Sequence, residues 1–177
     1  MSKSLPTTSY AVLGLLSFGE PLSGYEIRKR SVFYWSPAQS QIYSELRRLE
    51  KLGYVTSEKV PQEGKPDKRM YTVLGAGLAE LERWLAEDPV EPATIRHPLA
   101  LRLYFGHLTT PERLEEMLND FIKETEKALG ELAVVQEFTE NMPGHEHRAM
   151  VAEWSYAYHQ AELDAARQAL ERVRAIT

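Results

Sequence analysis

Apolar residues recur at intervals of three and four positions in three short segments near the start of the chain, which predicts three helices. The first covers residues 7–17. The second follows Ser23, which stands three residues before Glu26 in the spacing of a capping box, where each side chain accepts a hydrogen bond from the other residue's backbone N–H. We expect the third helix from Ser36 to Leu52. The residues of the second helix that we expect to face inward are Tyr25, Ile27 and Val32.

The third helix combines a start signal, an apolar stripe, a polar face and a stop signal. Ser36 is the expected N-cap, Pro37 occupies the first helical position, where a missing N–H costs nothing, and Gln39 completes a second capping box. Gly53 is the expected end of the helix. The stripe consists of Ile42, Leu46, Leu49 and Leu52, and the opposite face of Ser40, Tyr43, Ser44, Arg47 and Lys51.

Two strands and a further helix are predicted after this helix. Residues 54–60 and 70–74 have strand-like sequences, and the connection at residues 61–69 is too long for a tight hairpin but suits a basic wing. A fourth helix is expected from Gly75 to Trp84, with Gly75 as its N-cap. Helices followed by a β-hairpin in this order predict a winged helix-turn-helix, whose recognition helix lies in the major groove of DNA.

The rest of the chain is predicted to be helical. Prolines are dense over residues 89–98 and interrupt regular structure, so we place a domain boundary there. The predicted domains are a DNA-binding domain at residues 1–88 and a helical domain at residues 89–177. Helices of the second domain are expected at residues 99–105, 110–140 and 145–176.

The last helix carries two apolar seams. One contains Tyr156, His159, Leu163, Ala166, Leu170 and Val173, and the other contains Val151, Trp154, Tyr158, Ala161, Ala165, Ala169 and Ile176. A helix with two seams packs on two sides, and one side is often covered by a partner chain. The expected dimerisation residues are Trp154, Tyr156, Leu163, Ala166, Leu170 and Val173. The predicted fold is therefore mainly α with a small β-hairpin, an N-terminal winged helix-turn-helix joined to a C-terminal all-helical dimerisation domain.

Composition narrows the function classes. Zero cysteines exclude disulfides, thiolate zinc sites and cysteine nucleophiles. No apolar run is long enough to span a bilayer and the N-terminus has no signal-peptide pattern, so we expect a cytoplasmic protein that binds no membrane. The net charge of −5 is unevenly distributed: residues 1–85 carry 12 Lys/Arg and 9 Asp/Glu, a net +3, whereas residues 86–177 carry 9 and 17, a net −8. This asymmetry favours a nucleic-acid-binding module joined to a second module.

The polar face of the third helix supplies the candidate DNA contacts. Ser40 and either Gln39 or Gln41 can reach base edges, and glutamine suits adenine. Hydroxyl donors suit phosphate oxygens, which predicts phosphate contacts for Tyr43 and Ser44, although Tyr43 is alternatively a core aromatic. Arg47 can bind guanine or phosphate, and its position further along the helix favours phosphate. The wing candidates for phosphate or minor-groove contact are Lys65, Lys68 and Arg69, the alternative being a solvated mobile loop.

Several motifs together resemble the PadR family of transcriptional regulators. They lie at residues 10–16, 21–27, 42–55 and 68–77, and residues 96–177 more loosely resemble the long C-terminal helical domain of the larger PadR subfamily. The resemblance implies a homodimer that binds a near-palindromic operator on double-stranded DNA, usually as a repressor. It also implies, for some relatives, release from DNA by phenolic acids or other aromatic compounds. The chain departs from the family at Gly75, where threonine is usual, and at Asp67, where basic residues are common.

An effector site is the least specific prediction. Aromatic walls with polar tips suit planar ligands, and the candidate residues are Phe105, Trp154, Tyr158 and His159, the alternative being packing in a dimer interface. His145 and His147 diverge across a helix without a third ligand, so we expect no metal, and no cofactor. No catalytic motif is present, which argues against an enzyme. A protein-interaction module without DNA binding remains an alternative, because the second half is acidic and the wing contains Asp67.

Overall fold

A computed structural model describes residues 4–31, 35, 37–62, 65–90, 92–93, 96–140 and 146–176. The chain forms two compact units, Met1–Glu91 and Pro92–Thr177, a division three residues beyond the predicted 88/89 boundary. The elements of the first unit are α1 (Thr7–Leu16), β1 (Leu22–Ser23), α2 (Gly24–Ser31), α3 (Gln39–Lys51), β2 (Val55–Gln62), β3 (Lys65–Val73) and α4 (Gly75–Glu87). Those of the second are α5 (Pro98–Tyr104), a 3-10 turn (Gly106–Leu108), α6 (Pro111–Glu140) and α7 (Glu146–Arg174).

The core of the first unit lies among the first three helices and the sheet. Its inaccessible side chains include Leu13 of α1, Ile27 of α2 and the predicted stripe of α3. Burying an aliphatic side chain of this size contributes about 1.5–3 kcal/mol. Leu52 is the exception to the predicted stripe, because it lies at the C-cap of α3 and is 49% exposed.

The start of α2 is where the sequence predicted it, but one of its side chains is not. The capping box of α2 is confirmed, with Ser23 N–H donating to Glu26 at 2.8 Å and Glu26 N–H donating to Ser23 Oγ at 3.3 Å. The predicted inward position of Tyr25 is wrong, since its side chain is 61% exposed. Val32 lies outside the described residues.

The predicted start of α3 is also wrong. The helix begins at Gln39 behind an extended Ala38 that makes no side-chain cap, and Pro37 precedes the helix. Ser36 lies outside the described residues. The predicted end is confirmed: Gly53 has a φ of +73°, and Tyr54 N–H donates to Leu49 O at 2.9 Å, the closing bond of a Schellman motif.

The sheet is larger than the pattern predicted. Its antiparallel order is β1–β3–β2, and the two-residue β1 was not predicted as a strand. Pairing between β2 and β3 continues from Val55↔Val73 to Gln62↔Lys65, with an irregularity after Val60. The connection predicted at 61–69 is therefore mostly strand, because pairing across the hairpin extends both segments.

α4 packs closely on the chain that leaves α3. Its N-cap is Leu74, so the predicted N-cap role of Gly75 is wrong, and Gly75 is the first helical residue. A Cβ added at Gly77 would stand 2.3 Å from the Tyr54 carbonyl oxygen, which already accepts a hydrogen bond from Leu74 N–H at 2.9 Å. Glycine at position 77 thus permits the helix to approach this backbone.

In the second unit, α6 and α7 pack along each other in opposite directions. Arg167 near the end of α7 pairs with Glu126 in the middle of α6 at 2.7 Å, and Arg174 pairs with Glu115 near the start of α6. The buried residues between the helices include Leu118, Ala166, Leu170 and Val173, against which α5 places Leu99 and Leu103. No helix within the described residues is long and apolar enough to cross a membrane.

Candidate nucleic-acid interface and ligand cavity

The outer face of α3 is a free polar surface. Gln39, Ser40, Ser44 and Arg47 are exposed, and among the described residues their side chains make no hydrogen bond or ion pair. Their positions follow from burial of the opposite stripe, which fixes the rotation of the helix about its axis. The face therefore presents amide, hydroxyl and guanidinium groups, which can donate hydrogen bonds to base edges and phosphate oxygens.

The other two predicted residues of α3 are engaged within the first unit. Gln41 is exposed, but its Nε2 donates to Thr8 Oγ1 at 3.3 Å. Tyr43 is half-buried, and its ring lies over Gly24, where an added Cβ would stand 2.6 Å from Tyr43 Cε1. This contact supports the alternative in which Tyr43 packs α3 against α2.

Sequence reasoning missed the role of Glu45 on the buried face of α3. Its carboxylate is 6% exposed, accepts a hydrogen bond from Ser9 Oγ at 2.5 Å and lies 3.6 Å from the Arg48 guanidinium. A buried carboxylate must be satisfied by donors, so it ties α3 to α1 at a defined place. The available signal was helical spacing, since Glu45 stands three residues after Ile42 and four before Leu49 and therefore shares their face.

Two of the three predicted wing cations, Lys68 and Arg69, are paired with the helices. Lys68 Nζ lies 2.9 Å from Glu26 Oε1, and Arg69 lies 3.7 Å from Glu50 Oε1, which also accepts a hydrogen bond from Ser57. The Ser23 backbone N–H, followed by the Lys68 ammonium, lowers the pKa of Glu26 to about 2. The backbone of Lys65 pairs with Gln62, and its side chain lies outside the description.

A further hairpin cation was not singled out from the sequence. Lys59 is exposed and is the cross-strand neighbour of Arg69. Residues directly opposite in an antiparallel pair project from the same face of the sheet. The register between the strands, which the sequence pattern does not contain, brings these two cations together.

The second unit contains a cavity of about 760 Å³ bounded by α5, α6 and α7. Its apolar wall includes Leu99, Met117 and Phe121, and its polar groups are Arg96, His97, Arg102, Arg113, Asp120, Tyr158 and Glu162. Cationic groups therefore outnumber carboxylates in the lining. An apolar wall with a few convergent polar groups is typical of a small-molecule site.

His97 is held from both sides of its ring. Nδ1 accepts a hydrogen bond from the Ala100 backbone N–H at 3.2 Å, capping α5, and Nε2 lies 3.3 Å from Glu162 Oε1. The ring also packs against Phe121 with centroids 5.4 Å apart. Because Nδ1 is an acceptor here, the proton of the neutral ring belongs on Nε2, facing Glu162.

The structure separates the four predicted effector residues. Tyr158 lines the cavity, where burial and then the Glu162 carboxylate raise its pKa above the ordinary value. Phe105 lines a neighbouring cavity of about 450 Å³, which shares Arg102 with the first. Trp154 is 79% exposed, and His159 is bonded to the Ser155 carbonyl of its own helix at 2.8 Å; neither lines these cavities.

The predicted dimerisation seam is mostly occupied by the chain itself. Leu163, Ala166, Leu170 and Val173 are buried within the second unit, where the last three pack with α6, so their burial needs no partner. Tyr156 is half-buried and Trp154 exposed. Of the six expected dimerisation residues, Trp154 is therefore the one that is exposed. The exposed apolar residues of α6 and α7 include Val151, Trp154, Tyr158 and Ile176 of the other seam, and Val134 and Phe138 on α6.

His145, one of the histidines considered as a metal ligand, lies outside the described residues. Over the part of the chain that is described, no three or more His, Asp or Glu side chains are grouped as metal ligands.

Comparison with known proteins gives two family matches. Residues 12–83 match the Transcriptional regulator PadR-like family, and residues 95–174 match Virulence activator alpha C-term. The negative transcriptional regulator PadR of Bacillus subtilis (strain 168) is 34% identical over 127 residues, covering 70% of this chain and 69% of the relative.

Solved structures of Bacillus subtilis PadR resemble the whole chain. The complex with operator DNA has a TM-score of 0.75 at 26% identity, over 95% of this chain and 99% of that chain. The complex with p-coumaric acid has a TM-score of 0.68 at 26% identity, over 96% and 99%. The winged helix and the helical second unit are thus found together in both, and the protein belongs to the PadR-like family of transcriptional regulators.

Proposed function

We propose that this protein is a sequence-specific DNA-binding transcriptional regulator, a homodimeric repressor that a small aromatic effector releases from its operator. The observation that carries the proposal is the polar face of α3, where Gln39, Ser40, Ser44 and Arg47 are exposed and have no partner among the described residues, beside a β-hairpin. Such a helix fits the major groove. The complex of the Bacillus subtilis relative with operator DNA supports this function, and the alternative of a protein-interaction module is not favoured.

DNA binding is tested by titrating the protein into the DNA upstream of its own gene at several salt concentrations. The logarithm of the binding constant should fall linearly with that of the salt concentration, by about 0.9 for each phosphate neutralised. Arg47→Ala should weaken binding, whereas Lys123→Ala, which removes an exposed cation from α6, should not. Equal behaviour of these two variants would contradict the assignment of the α3 face.

A homodimer is supported by the apolar surface that the chain leaves uncovered. Trp154 is 79% exposed, and Val134 and Phe138 on α6 are 67% and 65% exposed. Exposed apolar patches of this kind mark association sites. We propose that the second seam of α7, which contains the expected dimerisation residue Trp154, contacts a second copy.

The effector proposal rests on the cavity bounded by α5, α6 and α7. Its apolar wall suits a planar ring, and Arg102 has a guanidinium that contacts Met117 Sδ at 3.6 Å and, among the described residues, no carboxylate. An arginine of this kind can bind a ligand carboxylate through charge-assisted hydrogen bonds. The p-coumaric acid complex of the relative supports this ligand class.

Isothermal titration with p-coumaric acid tests the cavity. We expect Arg102→Ala to weaken binding about tenfold or more, because a charged hydrogen bond is lost. Arg172→Ala on the exposed side of α7 is the matched control and should bind as the wild type does. Addition of the acid should displace the wild-type protein from DNA; binding without displacement would remove the effector role.

We propose that the protein has a regulatory role and not an enzymatic one, because the characterised relative is a transcriptional regulator. We place the protein in the cytoplasm, because the characterised relative is a bacterial transcriptional regulator.

A further inference from the structure

The carboxylate of Glu26 connects two parts of the winged helix. Its Oε2 accepts hydrogen bonds from the Ser23 backbone N–H at 2.8 Å and from Ser23 Oγ at 2.7 Å, inside the capping box of α2. Its Oε1 receives Lys68 Nζ of β3 at 2.9 Å. One side chain therefore caps α2 with one oxygen and holds the hairpin with the other.

The backbone holds the same neighbourhood together. Ser23 pairs with Met70 in the sheet, two residues from Lys68 on the same strand. Glu26 is thus fixed by its cap beside the strand that carries the lysine. On the other side of β3, Arg69 lies 3.7 Å from Glu50 of α3. Successive residues of a strand point to opposite faces, so the two pairs hold the hairpin from both faces.

This arrangement changes what Lys68 can contribute to DNA binding. An ammonium already neutralised at 2.9 Å by a carboxylate that two other hydrogen bonds hold in place offers no net positive charge to phosphate. Arg47, by contrast, is exposed and unpaired among the described residues. The two cations therefore differ in their electrostatic state before any DNA arrives.

We propose that Glu26 is a positioning residue for the wing: by holding Lys68, it fixes the hairpin against α2, and Lys68 acts on DNA affinity through this placement instead of through a phosphate contact. The inference rests on the proposed function as far as DNA is concerned, but the placement of the hairpin is a property of the free protein. Experiments can therefore refute the DNA-binding function and the positioning role of Glu26 independently of each other.

Salt-dependent DNA titrations of Glu26→Gln, Lys68→Ala and the double variant test the proposal. Glutamine keeps an acceptor oxygen for Ser23, and isolated surface ion pairs add little to stability, so the variants should fold. We expect each single change to lower affinity by about two- to fivefold, the double variant to lose no more than either, and the salt slope to stay at the wild-type value.

A direct phosphate contact gives the opposite results. Glu26→Gln would then free a cation and raise affinity, and Lys68→Ala would reduce the salt slope by about 0.9. Either result overturns the proposal. Arg47→Ala serves as the reference for the slope change of a lost phosphate contact.

Amide hydrogen exchange of the DNA-free protein gives a second readout. We expect Glu26→Gln and Lys68→Ala to accelerate exchange in β3, and Lys59→Ala, which removes an exposed hairpin cation, to leave it unchanged. Unchanged exchange in the first two variants overturns the inference. If the wild type does not bind DNA, the proposed function is refuted. The exchange result then still decides whether Glu26 and Lys68 position the hairpin.

Discussion

At the scale of single residues, close approaches of backbone and side chain decide which substitutions the first unit tolerates. Gly77 faces a carbonyl oxygen that is already hydrogen-bonded, and Gly24 lies under the ring of Tyr43. By contrast, a Cβ at Gly75 meets nothing within 4 Å. Glycine is therefore required at position 77 of α4, whereas position 75 has room for a side chain.

We expect Gly77→Ala to destabilise the protein by about 1–3 kcal/mol, because the new methyl group would overlap the Tyr54 carbonyl and force α4 away. Gly75→Ala is the matched control. It should be neutral or stabilising by up to about 1 kcal/mol, since alanine loses less backbone entropy on folding. Urea unfolding followed by circular dichroism measures both, and equal effects would contradict the close approach.

Glu26 should also leave a signature in the pH dependence of stability. Its pKa is lowered from 4.5 to about 2, so its contribution is present above pH 4.5 and is lost as the pH falls through that interval. At pH 7 we expect the wild type to exceed Glu26→Gln in unfolding free energy by about 1 kcal/mol or less, as the site is a third exposed.

The difference should close as the pH approaches 2, because the folded carboxylate then becomes protonated. Glu82→Gln, which removes an exposed carboxylate of α4 without an ion pair among the described residues, is the control for the loss of one surface charge. Denaturant titrations at several pH values make the comparison. A difference between wild type and Glu26→Gln that is constant with pH would contradict the ion-paired state.

At the scale of elements, periodicity located the helices, local signals located some of their ends but not the starts of α3 and α4, and pairing between strands was not predictable. The capping box at Ser23 and the glycine at position 53 act within a few residues, and both helix ends are where they indicate. The length of the hairpin depends on pairing between residues such as Gln62 and Lys65, which the one-dimensional pattern does not contain. The sequence pattern indicated a connection over residues 61–69, and pairing across the strands extends both strands into it.

The same limit applies to the candidate sites. Periodicity found both seams of α7 but could not decide which one α6 covers. The cavity brings together residues from three separated segments, including His97, Met117 and Tyr158, and only the last was predicted. The free face of α3 was predictable because the burial of one stripe determines the opposite face of the same helix.

The two seams predict different outcomes for substitutions in α7. Leu170→Ala should destabilise the second unit by about 2–5 kcal/mol, because it leaves a cavity against α6. Trp154→Ala, on the exposed seam, should instead weaken self-association with little effect on the fold. Thermal unfolding and sedimentation equilibrium separate the two effects. Dimerisation unaffected by Trp154→Ala would refute the proposed interface.

At the scale of the whole molecule, a basic N-terminal half is joined to an acidic C-terminal half, with net charges of +3 over residues 1–85 and −8 over 86–177. Attraction to phosphate is thereby concentrated in the module that carries α3. Long-range fields of this kind steer association and orient a protein on approach. The overall charge of −5 is thus compatible with DNA binding.

For a homodimer we expect two protected half-sites in a footprint on operator DNA, separated by about 10 base pairs or a multiple of this number, so that both α3 helices reach the same side of the duplex. Hydroxyl-radical footprinting measures the spacing. Trp154→Ala should lose protection of both half-sites at low protein concentration. Protection of a single half-site by the wild type would contradict the dimer.

The double use of the Glu26 carboxylate has a consequence for how this family can vary. A position that both caps a helix and pairs with Lys68 cannot change freely, because aspartate is shorter and a neutral residue leaves the lysine unpaired. Position 68 is constrained in turn by the charge at position 26. In an alignment of relatives, the two positions should therefore exchange in a correlated way, with an acid at 26 accompanying a base at 68.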